Sequence, residues 1–519
     1  MPASMKLRLV LAVAALTAFV ALLAGCGGGS SSSDVASLAP PGAPVFVEGT
    51  VKPTGELKSN TDAVAQKIGG IANLGDFVVE KLESSAASEG ETLDYAKEVE
   101  PWLGERAGVF FERLEGENLS GLGVLVESTD TGATQEFVEA KAKSSKRPYS
   151  GKTFEGVEYE LGGSEEDAIG VVGDFLVIAE GEEVFKDVVK ASNGESLAGE
   201  DRFSKAISAA SDGSLADVYV DVGGLIEESG GEIAPQGRQL LKDAGIDPSG
   251  ATAVASIVPG SEQVEVDLSS DLGGEKAPSG DASSLLGSLP STAFAAFAAS
   301  GFGEQLQEAL DSLDAEGIPG TIPPHQLKKG VKELGIDLEG LVESLQDAAV
   351  FATGNSESSL GGALVLTATG NKASEAVERG VTLVRAFHVA GVSVLGGKAS
   401  GFAIHSAELG KKPLVVAAKE GRVAIGYGVP QTLLGLAAPS GKTLSDNPAY
   451  KEAVAALGGT PISGFVEGAA ALKLAEALVP PSETGFEEAK KYLKSIAFVG
   501  IGTGTEGELA TAKAIVGLK

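Results

Sequence analysis

Residues 197–210 read LAGEDRFSKAISAA, and 247 positions later residues 444–457 read LSDNPAYKEAVAAL. A leucine, an aromatic residue and small apolar residues return at matched places, Leu197 with Leu444 and Phe203 with Tyr450. Working outward, GDFLVIAEG (173–181) lies over EGRVAIGYG (420–428), and ADVYVDVGGLIEE (216–228) over ISGFVEGAAALKL (462–474), with offsets of 246 to 247. Weaker matches extend both ways. GLGVLVESTDTGATQEFVEA (121–140) lies over GGALVLTATGNKASEAVERG (361–380), FEGVEYELG (154–162) over FAIHSAELG (402–410), and APPGAPVFVEGTV (39–51) over GSLPSTAFAAFAA (287–299). Self-similarity at one fixed offset is the mark of a repeated unit. It predicts two homologous units, 38–274 and 283–519, joined by a linker at 275–282 within the Gly-, Pro- and Ser-rich stretch DLGGEKAPSGDASS (271–284).

Inside each unit the apolar period switches between two and 3.6. In the first, PVFVEGTV, AGVFFERL, GLGVLVES, KTFEGVEYEL, FLVIAEG, DVYVDVG, ATAVASIV and QVEVDLSS read as strands. TDAVAQKIGGIANLGDFVVEKLE, GATQEFVEAKAK, EEVFKDVVKA and DRFSKAISAA read as helices. Tight turns at Gly173-Asp174 and Pro259-Gly260 imply antiparallel neighbours. The expectation is an α+β fold of two homologous units, each an antiparallel sheet with helices over one face.

The amino end predicts where the protein works. Lys6 and Arg8 precede an apolar run from Leu9 to Ala24, the layout of a secretory signal over residues 1–25. The run is shorter than the roughly 20 residues that a helix needs to cross a bilayer core about 30 Å thick. Leu23, Ala24, Gly25 and Cys26 resemble the lipobox of bacterial lipoproteins, in which the signal is cut before the cysteine. That resemblance implies a diacylglycerol on the Cys26 thiol and often a further acyl chain of the palmitate type. Each buried methylene contributes about 0.8 kcal/mol, so two or three chains hold a protein stably where one does not. Residues 26–37 then read as a flexible tether, and the segment Gly27 to Asp34 has a typical reach of about 16 Å.

Composition narrows the partners. A net charge of −32 repels phosphate backbones, which argues against nucleic acid and against direct docking on an acidic bilayer. Aromatic residues make up 5% of the chain, so cores rest on Ala, Val, Leu and Ile, and stacking platforms are scarce. Cys26 is the only cysteine, which leaves no disulfide to form.

Chemical motifs are weak. Gly502, Gly504 and Gly507 imitate a dinucleotide fingerprint, but the chain ends at Lys519, before the helix and acidic residue that the motif needs. Ser445, Asp446 and Asn447 spell the SDN of penicillin-binding proteins and β-lactamases without S-x-x-K or K-T-G around it. Asn447-Pro448 fits a helix cap with proline at the first position better. His325, His388 and His405 lack metal-ligand spacing, and Asp311, Asp314 and Glu316 miss the spacing of a calcium loop. Trp102 has Ser344 or its neighbour as its duplicate and reads as a half-buried packing residue. No cofactor is expected.

The two units resemble family 3352 of domains of unknown function, a set of bacterial envelope proteins. The likeness rests on Pro41 to Val47 and Pro290 to Phe297, on Leu197 to Phe203 and Leu444 to Tyr450, and on Tyr219 to Asp221 and Phe465 to Glu467. It implies secretion or membrane attachment and transfers no catalytic residue. The expected protein is a lipid-anchored lipoprotein on the extracytoplasmic face of a bacterial membrane, a non-enzymatic binding or scaffold protein of the cell envelope. A protein partner is favoured, and a carrier of an apolar or lipid ligand is one alternative. Another is an envelope-acting hydrolase using Asp221 and Glu467, whose carboxyls would need to lie about 5 to 10 Å apart.

Overall fold

The computed structural model describes residues 33–519 apart from 89–92, 116–117, 146–147, 164–166, 229–249, 274–279, 318–322, 357, 389, 396–398, 407–411, 428–440 and 480–483. Each run read above as a strand is one. KTFEGVEYEL is two, folded at Glu155 and Gly156, both with positive φ, into a hairpin. The long helical stretch is also split, because Gly70 turns left-handed (φ 69°) and its N–H closes the helix Gly55–Gly69 on Gln66 O before Leu74–Ser88 begins.

The first ten strands are β1 (Val45–Thr50), β2 (Leu103–Glu115), β3 (Asn118–Ser128), β4 (Tyr149–Phe154), β5 (Val157–Gly162), β6 (Ala168–Val172), β7 (Phe175–Ala179), β8 (Ala216–Asp221), β9 (Thr252–Pro259) and β10 (Gln263–Asp271). Their neighbour order is 4-5-6-7-3-2-1-8-9-10, antiparallel throughout. The next ten are β11 (Ala293–Ser300), β12 (Leu345–Thr353), β13 (Gly361–Ala368), β14 (Val392–Val394), β15 (Ser400–Ile404), β16 (Leu414–Lys419), β17 (Arg422–Tyr427), β18 (Ile462–Glu467), β19 (Ile496–Glu506) and β20 (Leu509–Leu518). Their order is 14-15-16-17-13-12-11-18-19-20.

The expected α+β architecture, two homologous units with a sheet apiece, is not what forms. All 20 strands among the described residues belong to one hydrogen-bonded antiparallel sheet, with β20 paired to β10 as well as to β19. A sheet edge carries a row of backbone N–H and C=O groups that must find partners, and hydrophobic patterning inside a strand says nothing of who its edge neighbour is. Two compact units can be traced, but they do not follow the repeat boundary: residues 505–513 and 518–519 of the last strand region belong with 1–277, and the second unit holds 278–504 and 514–517.

Helices over one face alone are also contradicted. In the first unit Val177 packs with Phe46, Phe110, Phe185 and Phe203, whereas its chain neighbours Leu176 and Ile178 pack on the other face with Trp102 and Val138. Helix Gly181–Asn193 serves the first cluster and helix Thr131–Ser144 the second. A strand covered on both sides needs no polar alternation, which is why FLVIA is apolar at every position. In the second unit one face carries Phe351, Val365 and Phe465, and the other carries Leu366, Val423 and Ala418 under helices Phe302–Glu316 and Lys372–Phe387.

The amino-terminal segment of the described chain is part of the first core. Ser33–Ala36 is a short helix, and Val35, Ala36, Leu38 and Ala39 are at most 4% exposed. Leu197 N–H donates to Ala39 O at 3.0 Å. Of the segment 26–37 expected to be a tether, Val35 and Ala36 are packed in the core, and residues 26–32 lie outside the described residues. Residues that looked like spacer are short apolar groups that fill space above Gly108, where even a Cβ would meet Val35 at 2.5 Å.

Candidate functional site

In the second unit the sheet brings one apolar row into register across neighbouring strands. Phe297 of β11 stands opposite Val350 of β12, Val350 opposite Leu364 of β13, Leu364 opposite Ile425 of β17, Ile425 opposite Val416 of β16, and Val416 opposite Phe402 of β15. The far end is covered, since Gly380 of helix Lys372–Phe387 sits against the Phe402 ring. The near end is bare, with Phe297 44% and Val350 49% exposed. Phe297 lies across Gly464 of β18, where a Cβ would come within 2.9 Å of its ring. The matching row of the first unit, Gly49, Ala107, Val126 and Leu176, begins with small residues, and Val126 and Leu176 pack in the cluster around Trp102.

The first unit contains an open cleft of about 470 Å³ lined by Pro40, Pro41, Ala43, Glu112, Asp187, Lys190, Ala191 and Glu195. Glu112 projects from β2 beside Gly121, whose φ of 70° and missing Cβ make room for it; a Cβ there would lie 2.8 Å from Glu112 Cβ. One carboxyl oxygen, Oε2, accepts from Arg113 Nη1 at 3.1 Å, and Oε1 is buried without a hydrogen-bond partner among the described residues. Burial pushes the Glu112 carboxyl up to about 7, and the charges of Asp187 and, more weakly, Glu180 add to this against the pull of Arg113. Glu180 Oε2 accepts the Gly121 and Leu122 N–H groups at 3.0 and 3.2 Å, and Lys190 pairs with Asp187 at 2.7 Å. At neutral pH such a carboxyl divides between its acid and its base form.

The candidates named from sequence take local structural roles. Asp221 is 4% exposed; its Oδ1 accepts the Gly224 N–H and its Oδ2 meets Arg202 at 3.0 Å. Glu467 Oε2 accepts from Asn447 Nδ2 at 3.3 Å. Asn447 caps helix Pro448–Ala456 through the Tyr450 N–H, while Ser445 Oγ donates to Gly287 O. Gly502 and Gly504 lie in β19, and Gly507 (φ 62°) makes the turn into β20. Asp314 Oδ1 accepts the Lys328 N–H and Asp311 pairs with Lys328, which ties helix Phe302–Glu316 to helix Leu327–Glu333. His325 is an exposed turn residue beside Asp314, His388 ends helix Lys372–Phe387 in the left-handed region, and His405, directly after β15, has its Nε2 3.5 Å from Ser393 Oγ of β14. Trp102 is fully rather than half buried, and its Nε1 donates to Glu98 O at 2.6 Å. Leu23, Ala24, Gly25 and Cys26 lie outside the described residues.

Glu112 and Phe297 were not visible as special from sequence. FFERLEGE reads as a strand running out into charge, and AFAAFAAS as an ordinary core strand. Among the described residues no group of three or more His, Cys, Asp or Glu side chains is placed to hold a metal ion, and no helix is long and apolar enough to cross a membrane.

Comparison with known proteins adds a family and little else. No curated protein matches the chain. Two crystal structures of TP0453, crystal forms III and I, are each 14% identical to it; they cover 48% and 47% of this chain and 83% and 81% of their own, with TM-scores of 0.27 and 0.26. The family model described as "Protein of unknown function (DUF3352)" matches residues 8–381, most of the chain, and the protein therefore belongs to the DUF3352 family.

Proposed function

We propose that this is a lipoprotein of the bacterial cell envelope, anchored through acyl chains on Cys26, whose folded body works by binding a protein partner. Leu23-Ala24-Gly25-Cys26 after a short apolar run supports the anchor. The body arose by duplication of one ten-strand unit; the shared strand order of β1–β10 and β11–β20 supports this beyond the sequence matches. The observation that carries the binding reading is the bare Phe297–Val350 end of the apolar row, because covering two adjacent half-exposed apolar side chains with an apolar partner surface removes them from water. Its chemistry suits an apolar protein surface more than a lipid chain, since Phe297 and Val350 lie on an open face. A photoreactive residue placed at 297 or 350 in the membrane-anchored protein should capture the same partner, and one at exposed Val454 should not. Equal capture from all three positions would contradict the reading.

A further inference from the structure

The Glu112 cleft has three walls of different origin. One is strand β2, which carries Glu112 and Arg113. The second is helix Gly181–Asn193 and the turn after it, which bring Asp187, Lys190, Ala191 and Glu195. The third is Pro40, Pro41 and Ala43, the direct continuation of the buried Val35–Ala39 segment. This third wall presents no charged side chain of its own, and polar contacts to the rest of the unit near it include Gly42 N–H to Glu200 Oε1 at 2.6 Å and Leu197 N–H to Ala39 O at 3.0 Å.

The groups that act on Glu112 are unequal. Arg113 on its own strand favours the ionised form, while Asp187 from the helix and Glu180 from the end of β7 oppose it. Lys190 and Glu195 line the same cleft, and Lys190 is already paired with Asp187. Glu112 Oε1 is buried and accepts no hydrogen bond among the described residues, so Arg113 on Oε2 is what offsets the burial of a negative charge there. An ionised Glu112 therefore draws water or separates the walls.

We propose that protonation of Glu112 is a switch that holds the amino-terminal segment Val35–Ala43 against the body, and that its ionisation loosens the cleft and the segment with it. Because this segment follows directly on the chain that contains Cys26, the switch sets how firmly the body is held next to its amino-terminal tether. The switch rests on the first unit's geometry, and its effect on the tether rests on the Cys26 anchor proposed above.

The test is amide hydrogen exchange of the full mature protein at pH 5.5 and pH 8.5, corrected for the intrinsic pH dependence of exchange. Wild type should show at least about tenfold faster opening of residues 35–43 at the higher pH, while peptides from β6 and β7 stay unchanged. Glu112→Gln should keep the slow exchange at both values. Asp187→Asn, which removes one opposing charge and spares the buried carboxyl, should move the transition to lower pH. Equal protection of 35–43 at the two pH values in wild type, or the same pH response in Glu112→Gln, would overturn the proposal.

Discussion

Arg202 Nη2 lies 3.0 Å from Asp221 Oδ2, while the other oxygen of Asp221 accepts the Gly224 N–H at the start of helix Val222–Glu228. The carboxylate is almost wholly buried and the guanidinium half exposed, so the two ends of the pair are not equivalent. Removing the carboxylate loses a helix cap as well as an ion pair, at a cost of about 2 kcal/mol. Removing the partly exposed arginine should cost less than about 1 kcal/mol. Urea unfolding of Asp221→Ala and Arg202→Ala checks this order.

Gly121 and Gly173 both have positive φ, 70° and 57°, but they differ in surroundings. A methyl group at 173 meets open space, so Gly173→Ala pays only backbone strain of about 1 kcal/mol. At 121 it also meets Glu112 at 2.8 Å, and Gly121→Ala should lower stability by at least twice as much. Thermal unfolding of the two variants separates strain from crowding.

Glu112 gives the fold a pH dependence of definite sign. Its folded value, about 7, lies above the ordinary 4.5, so the native state holds the proton more tightly than the unfolded chain does. The stabilising effect of that proton is complete below about 4.5 and is lost as pH rises toward 7. Glu112→Gln should match wild type at pH 4 and exceed it at pH 8 in urea midpoint.

Lys513 of β20 lies between Glu265 and Asp267 of β10 and pairs with both. Burial raises the Glu265 carboxyl, and Lys513 is the main influence drawing it down. Lys513→Met leaves two carboxylates facing each other. The variant should unfold at lower urea than wild type at pH 7, and the gap should narrow at pH 4, where the carboxylates take up protons.

Much of this fold can be read from residue patterns, because strand and helix follow from local periodicity. Val45–Thr50 alternates and is a strand; Pro448 after Asn447 starts a helix; Gly507 turns a hairpin. Edge pairing cannot be read in this way, since the groups that join β10 to β20 are backbone groups common to every residue. The buried Val35–Ala39 segment hides behind a serine tract, and its role depends on a hollow made by Gly108 on another strand. Glu112 and Phe297 owe their character to neighbours distant in sequence, Asp187 and Val350 among them.

Phe297 should be nearly silent in stability despite its size. Phe297→Ser removes a half-exposed ring and should change unfolding free energy by about 1 kcal/mol or less, against about 3 to 5 kcal/mol for Phe110→Ala in the closed core. Guanidinium unfolding of both variants measures the contrast, and a large loss at 297 would make that ring a packing residue instead of a contact.

Anchoring through Cys26 is tested most directly by intact-mass spectrometry of the protein extracted from its native membrane. We predict a mature chain that begins at Cys26 and carries a diacylglycerol on sulfur. A chain that keeps residues 1–25 with an unmodified Cys26 thiol would contradict it.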